Sequence, residues 1–119
     1  MLKETRVQII ERATGQLVQC LVRPVNDSEK VRWSHWHGEM PPGAEDAHWD
    51  WDELIDLSIA MTDRFEVYAL EYANELQGLR MLEVAEDDVA THGVHALRLS
   101  VAPWNRSPER RYHGVGSVL

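Results

Sequence analysis

The residues best suited to holding an anion stand together in the stretch 101–119, VAPWNRSPERRYHGVGSVL. Gly114 and Gly116 carry no side chain that would hold a ligand away from the backbone, and Arg111 offers a forked cationic donor. An apolar strand-like run ends at Val101-Ala102-Pro103, and apolar Val115, Val118 and Leu119 resume after the glycines. A strand leading through a glycine turn into a helix is a natural phosphate cradle, because the first N–H groups of a helix lack intrahelical acceptors and lie at its positive end. Taken as a bare pattern, the same residues also describe a plain turn into a helix.

Three other sets of residues could do chemistry. The segments WSHWHGEM and HWDWDE bring His35, His37, Glu39, His48, Asp50 and Asp52 close in sequence, and these side chains suit a divalent cation. Pro41-Pro42-Gly43 separates the two halves, and ligand geometry is exacting, so a polar loop with no metal is expected. Glu71, Glu83 and His95 fall in alternating apolar–polar runs and read first as solvent-facing members of those strands, with a general base as the other reading. Glu83 shares a face with Leu79 and Met81, where burial would raise its pKa toward a useful range. Cys20 alternates with Val18 and Val22 and reads as a small buried hydrophobe rather than a nucleophile.

These residues need elements to position them. Residues 5–24 alternate apolar and polar on both sides of Ala13-Thr14-Gly15-Gln16, which predicts two strands joined by a turn at Gly15. Asn26, Asp27 and Ser28 are candidate caps for a short helix, followed by a loop through Pro41-Pro42-Gly43. The segment WDWDELIDLSIAMT predicts a second helix, with Asp50, Asp52 and Glu53 at its positive end and Trp51, Leu54, Ile55, Ser58, Ile59 and Thr62 at helical spacing. Strands are expected over 65–73, 79–86 and 94–102, with a turn at NELQG (74–78). Helices before and beside five strands imply a mixed α/β, or α+β, fold with a mostly antiparallel sheet flanked by helices.

The 119 residues contain 12 Lys and Arg against 20 Asp and Glu, a formal net charge of −8. That balance argues against sequence-independent nucleic-acid binding, which needs clustered cations. A lone cysteine excludes an intrachain disulfide, and neither a targeting segment nor an apolar run of membrane-spanning length stands out. The expectation is a soluble cytoplasmic protein with no membrane partner.

The stretch LSVAPWNRSPERRYHGVGSVL resembles the GCN5-related N-acetyltransferase family. There a strand ending in Val-x-Pro leads to an Arg/Gln-x-x-Gly-x-Gly/Ala loop that holds the pyrophosphate of acetyl-CoA. Here that loop is Arg111-Tyr112-His113-Gly114-Val115-Gly116, complete at every specified position. The order of the preceding elements matches as well, so the resemblance covers essentially the whole chain. It implies an acyl-CoA N-acyltransferase-like fold and acetyl transfer from acetyl-CoA, as co-substrate, to the amine of a small molecule or peptide. It further implies that the strand around Leu99 and Val101 lies along the pantetheine arm, and that residues 112–117, with Ser117 closing the loop, donate N–H groups to the pyrophosphate. The backbone N–H of Val101 or a neighbour would polarise the thioester carbonyl, and a strand carboxylate, Glu83, would serve as base.

Family members continue beyond this loop with the rest of a helix, a further strand and helix, and the closing strands. The expectation from the resemblance is therefore one domain, 1–119, lacking that C-terminal part of the fold. Its open sheet edge would invite a second copy or a completing partner. Trp33, Trp36, Trp49 and Trp51 read either as core under a loop or as walls of an acceptor cleft, where the acidic residues 45–53 would suit an amine. The alternative function is a non-catalytic module that self-associates or binds a partner through the open edge and the Trp-rich loop.

Overall fold

The computed structural model describes residues 4–36, 39–41, 43–84, 94–106 and 108–119. Among these residues the fold is mixed α+β: six strands form one antiparallel sheet in the order β5-β4-β3-β2-β1-β6, with three α-helices. The strands are β1 (Thr5–Glu11), β2 (Leu17–Pro24), β3 (Phe65–Tyr72), β4 (Glu75–Val84), β5 (Val94–Val101) and the two-residue β6 (Tyr112–His113); the helices are α1 (Ser28–Ser34), α2 (Trp51–Ala60) and α3 (Val115–Val118). Among the described residues no helix is long and apolar enough to cross a membrane.

The β1–β2 hairpin follows the alternation in the sequence, with Gly15 at φ 70° in its turn. Val18, Cys20 and Val22 share the inward face as expected, and Cys20 is buried. The β3–β4 turn differs from the expectation. Of NELQG only Asn74 is in the turn: Ala73 and Asn74 reverse the chain, at φ 55° and 63°, and 75–78 already belongs to β4. Two successive residues with positive φ make the tight turn whose twist suits a hairpin, and only Asn74 has a side chain that favours it. The register slips at Leu70/Glu71, so that Leu76 and Leu79 both reach the same core.

Two clusters sandwich the sheet. On one face Trp33, Trp36, Trp51 and Ile55 of the helical region pack on Val67, Ala69, Leu79 and Met81. Asp50 caps α2 by accepting from the N–H of Glu53, as its position before an acidic first turn predicts. Only Trp51, Ile55 and Ser58 of the expected α2 stripe are buried, and Ile59 stands 49% exposed. In α1 the Asp27 side chain makes no capping bond; Asn26 accepts from Ser28 N–H instead, at 2.9 Å.

On the other face Ile9, Val22, Tyr68 and Leu70 pack with Tyr112, Val115 and Leu119. Helix α3 touches β1, β4 and β5, which stand at opposite ends of the strand order, so the sheet curls around it. Gly78 permits this approach: a Cβ there would come within 2.6 Å of Leu119 Cδ1 and 3.2 Å of the Ser100 carbonyl oxygen.

Candidate functional site

The site begins where β5 ends. Among the described residues strand β5 is an edge strand, paired to β4 alone. The Ala102 N–H donates to the Gln77 carbonyl oxygen at 2.9 Å. Successive N–H groups of a strand alternate sides, so the amides of Val101 and Leu99 point outward from the sheet. The Val101 carbonyl oxygen accepts from Arg106 Nε at 2.9 Å, which leaves its N–H as the outward donor at the strand's end.

Gln77, fully buried on β4, holds the chain that leaves β5. Its Oε1 accepts from Trp104 Nε1 at 2.9 Å and from Asn105 Nδ2 at 3.0 Å, and its Nε2 donates to the Tyr72 carbonyl oxygen. Asn105 Oδ1 in turn accepts from the N–H of Tyr112. The segment thereby crosses the curled sheet and adds Tyr112 and His113 to β1, opposite Glu11 and Ile10. No strand was expected at 112–113, because a two-residue bridge formed by the sheet's curl leaves no alternation to read.

Gly114 then takes φ 90°, a conformation that favours glycine, and α3 starts at Val115. The glycine turn and the end of β5 face each other across a cleft of about 350 Å³, lined by Val101, Asn105, Arg110, Tyr112 and residues 114–117. At Gly116 a Cβ would lie 3.7 Å from Leu99 Cδ2 and 3.9 Å from Val101 Cγ1, so a side chain there would enter the gap between turn and strand.

Of the residues singled out from the sequence, Val101, Tyr112, Gly114, Val115, Gly116 and Ser117 line this cleft. Leu99 sits beside it, 44% exposed, and His113 is paired to β1. Arg111 is placed differently. Its guanidinium stacks over Trp104 at 5.3 Å and approaches Glu75 at 3.6 Å, and the arginine that lines the cleft is its neighbour Arg110. The pairing of Tyr112 with β1 sets the alternation of the chain, so adjacent arginines point to different sides.

A second cleft, about 220 Å³, adjoins the first at Val101 and is lined also by Glu45, Asp46, Trp49, Leu99 and Arg106. Arg106 grips both carboxylate oxygens of Asp46. Burial alone would raise the Asp46 carboxyl, but hydrogen bonds from Arg106 and Ser100 hold it below the usual carboxylate range. Trp49 carries the Arg98 guanidinium over its ring at 5.0 Å. Asp46, Arg106 and Arg110 carried no motif that sequence reasoning could use; each matters only because the curl brings residues 45–49 and 106–117 to the end of one strand.

The strand carboxylates do not reach this point. Glu83 keeps the face it shares with Leu79 and Met81, but it is paired with Phe65 and partly exposed, 3.9 Å from Arg64. It lies five residues along β4 from Gly78, the partner of Val101, which is about 17 Å and beyond the reach of a base at Val101. The burial expected of it is absent: Glu83 lies one residue from the end of β4, still paired there but partly exposed. Glu71 is held by Arg23, at 3.0 Å, and by Arg32. Partial burial would raise its carboxyl, yet the two guanidinium groups keep it below its ordinary value. The side chain of His95 lies outside the described residues.

Trp33, Trp36 and Trp51 are buried against the sheet, and Trp49 lines the second cleft. His37 and the side chain of His48 lie outside the described residues, and among those described no group of three His, Cys, Asp or Glu converges on a common point. Compared with known protein families, with curated proteins and with solved structures, the chain matches none of them.

Proposed function

We propose that this chain carries the acetyl-CoA-binding half of an N-acetyltransferase site and that acetyl transfer to an amine takes place at the end of β5. The observation that carries the reading is the juxtaposition of the outward N–H of Val101 with the glycine turn 114–117 across one cleft. The order of elements supports the acyl-CoA N-acyltransferase-like fold: a hairpin, two helices, three antiparallel strands, then the glycine turn and a helix.

The residues present fit the group. The outward backbone of Leu99 and Val101 can pair with an extended amide-bearing arm as an added strand would. The N–H groups of Val115, Gly116 and Ser117, free of intrahelical acceptors, with Arg110 beside them, suit a pyrophosphate. Acetyl-CoA, when bound, supplies a thioester whose acetyl group passes to a neutral amine.

This chain's own part is positional. The Val101 N–H would hold the carbonyl oxygen where negative charge develops, a kind of contact whose loss costs about 10²–10³ in rate in other enzymes. Glu45 and Trp49 in the adjoining cleft offer a carboxylate and an aromatic wall to an incoming amine. Glu45, unlike Glu83, lines the cleft that adjoins Val101.

Calorimetric titration with acetyl-CoA tests the reading. Saturable binding is expected, and Ser117→Glu, at an exposed lining position, should abolish it without unfolding the chain. Gly114→Glu is the harsher change, because it also strains the backbone at φ 90°, and it should lose binding together with some stability. Absence of binding at millimolar acetyl-CoA, or equal binding by Ser117→Glu, would exclude this function. Thiol release from acetyl-CoA with a panel of amines then identifies the acceptor class.

A further inference from the structure

The inner face of the curled sheet carries a second concavity, separate from the β5 end. It holds about 180 Å³ and spans four strands, with Val7, Val22, Leu82 and Val118 as apolar walls and Thr5, Tyr68 and Arg80 as its polar members. A volume of that size corresponds to the share of about six water molecules. An arginine is unusual on such a face. Arg80 stands opposite Tyr68 in the β3–β4 pairing and beside Gly78 and Leu82 on the side occupied by α3, with its guanidinium 5.6 Å from the centre of the Tyr68 ring.

Its Nε is buried and has no hydrogen-bond partner among the described residues. None of the ion pairs among those residues includes Arg80. Glu66, the buried carboxylate nearest in the pairing, is engaged by the Tyr68 hydroxyl at 3.4 Å. A buried donor without an acceptor costs about 1–3 kcal/mol, and native structures retain few. This one faces a concavity with apolar walls.

The geometry points to a binding site for a small aliphatic carboxylate. The guanidinium edge, already oriented by the Tyr68 ring, gives a forked pair of donors to the carboxylate. The valines and Leu82 receive a short hydrocarbon tail, and the Thr5 hydroxyl is available to a polar substituent. The lining sets four apolar side chains beside three polar ones, and the small volume restricts the ligand to about the size of butyrate. The site shares no lining residue with either cleft at Val101, so it stands whether or not acetyl-CoA binds there.

Titrating the chain with butyrate and with its neutral analogue butyramide, followed by amide chemical shifts, tests the site. Butyrate should saturate, at least tenfold more tightly than butyramide, with shifts concentrated at Val7, Val22, Arg80 and Leu82. Arg80→Met, which keeps an unbranched apolar stem and removes the donors, should bring the two ligands to equal affinity. Equal affinities in the unsubstituted chain overturn the proposal without reference to any variant. So does unchanged discrimination in Arg80→Met, or the absence of saturation at millimolar butyrate. If the same signals move with protein concentration alone, a second copy of the chain covers the concavity and the proposal is likewise overturned.

Discussion

Arg106 donates from Nε to the Val101 carbonyl oxygen at 2.9 Å while its terminal nitrogens hold both oxygens of Asp46. One guanidinium thus joins the end of β5 to the turn before α2, from opposite parts of the chain. It also fixes the plane of the peptide that follows Val101, and with it the wall shared by the two clefts.

Replacing that guanidinium should therefore cost both stability and binding. Arg106→Met leaves Asp46, 9% exposed, as a charge without its partner. Allowing for partial exposure, the loss should be about 2 kcal/mol in urea unfolding. Acetyl-CoA affinity should fall further than the stability change accounts for. Unchanged affinity in a folded Arg106→Met chain would show that the clamp has no part in the site.

The contact between α3 and β4 makes a sharper prediction about the fold. Gly78→Ala drives a methyl against Leu119 Cδ1 and the Ser100 carbonyl oxygen, and should destabilise by about 1–3 kcal/mol. Shortening the opposing side chain with Leu119→Ala should relieve part of that cost. A double-mutant cycle by urea denaturation should therefore give a coupling of about 1 kcal/mol, whereas strict additivity would mean that α3 does not rest on Gly78.

Acid should unfold this protein through the carboxylates gathered around its arginines. Burial would raise Glu29, but Arg23, Asn26 and Ser28 hold its carboxyl below the ordinary value, and Glu71 and Asp46 are likewise depressed. Groups depressed in the folded state contribute fully above their unfolded pKa, about 4, and lose that contribution as pH falls through the lower folded values. The urea midpoint should be flat from pH 7 to 5 and drop steeply below pH 4. Glu29→Gln should cost about 3 kcal/mol at neutral pH and make the acid limb shallower. An acid limb of the same slope would count against this assignment.

Cys20 should be silent toward thiol reagents in the folded chain. Burial pushes its thiol up to about 11, so little thiolate exists at pH 8. A disulfide reagent at pH 8 should label it quickly in denaturant and at the rate of opening without it. Because the folded value is the higher one, the stability linked to this thiol is complete below about pH 9 and erodes between 9 and 11. Native labelling as fast as in denaturant would show that the β2 face is open.

The sequence alone carried the local features. Alternation located β1, β2, β3 and β5 and turned Cys20 inward, and the acidic run with Asp50 as cap located α2. Gly114 and Gly116 marked a backbone that a ligand can approach. These are properties of adjacent residues, and a chain records them directly in its pattern.

What the tertiary structure decided is who meets whom. The β3–β4 turn tightened onto Ala73 and Asn74 because the pairing register of two long strands outweighs the preferences of the residues between them. Arg110 took the place expected for Arg111 because Tyr112 bonds to β1, on the far side of a curled sheet. Glu83 was separated from Val101 by the length of a strand, while Asp46 and Arg106, sixty positions apart, closed on each other. Curl and register are set by the packing of the whole sheet on its two cores, and no stretch of sequence short enough to show a motif contains them.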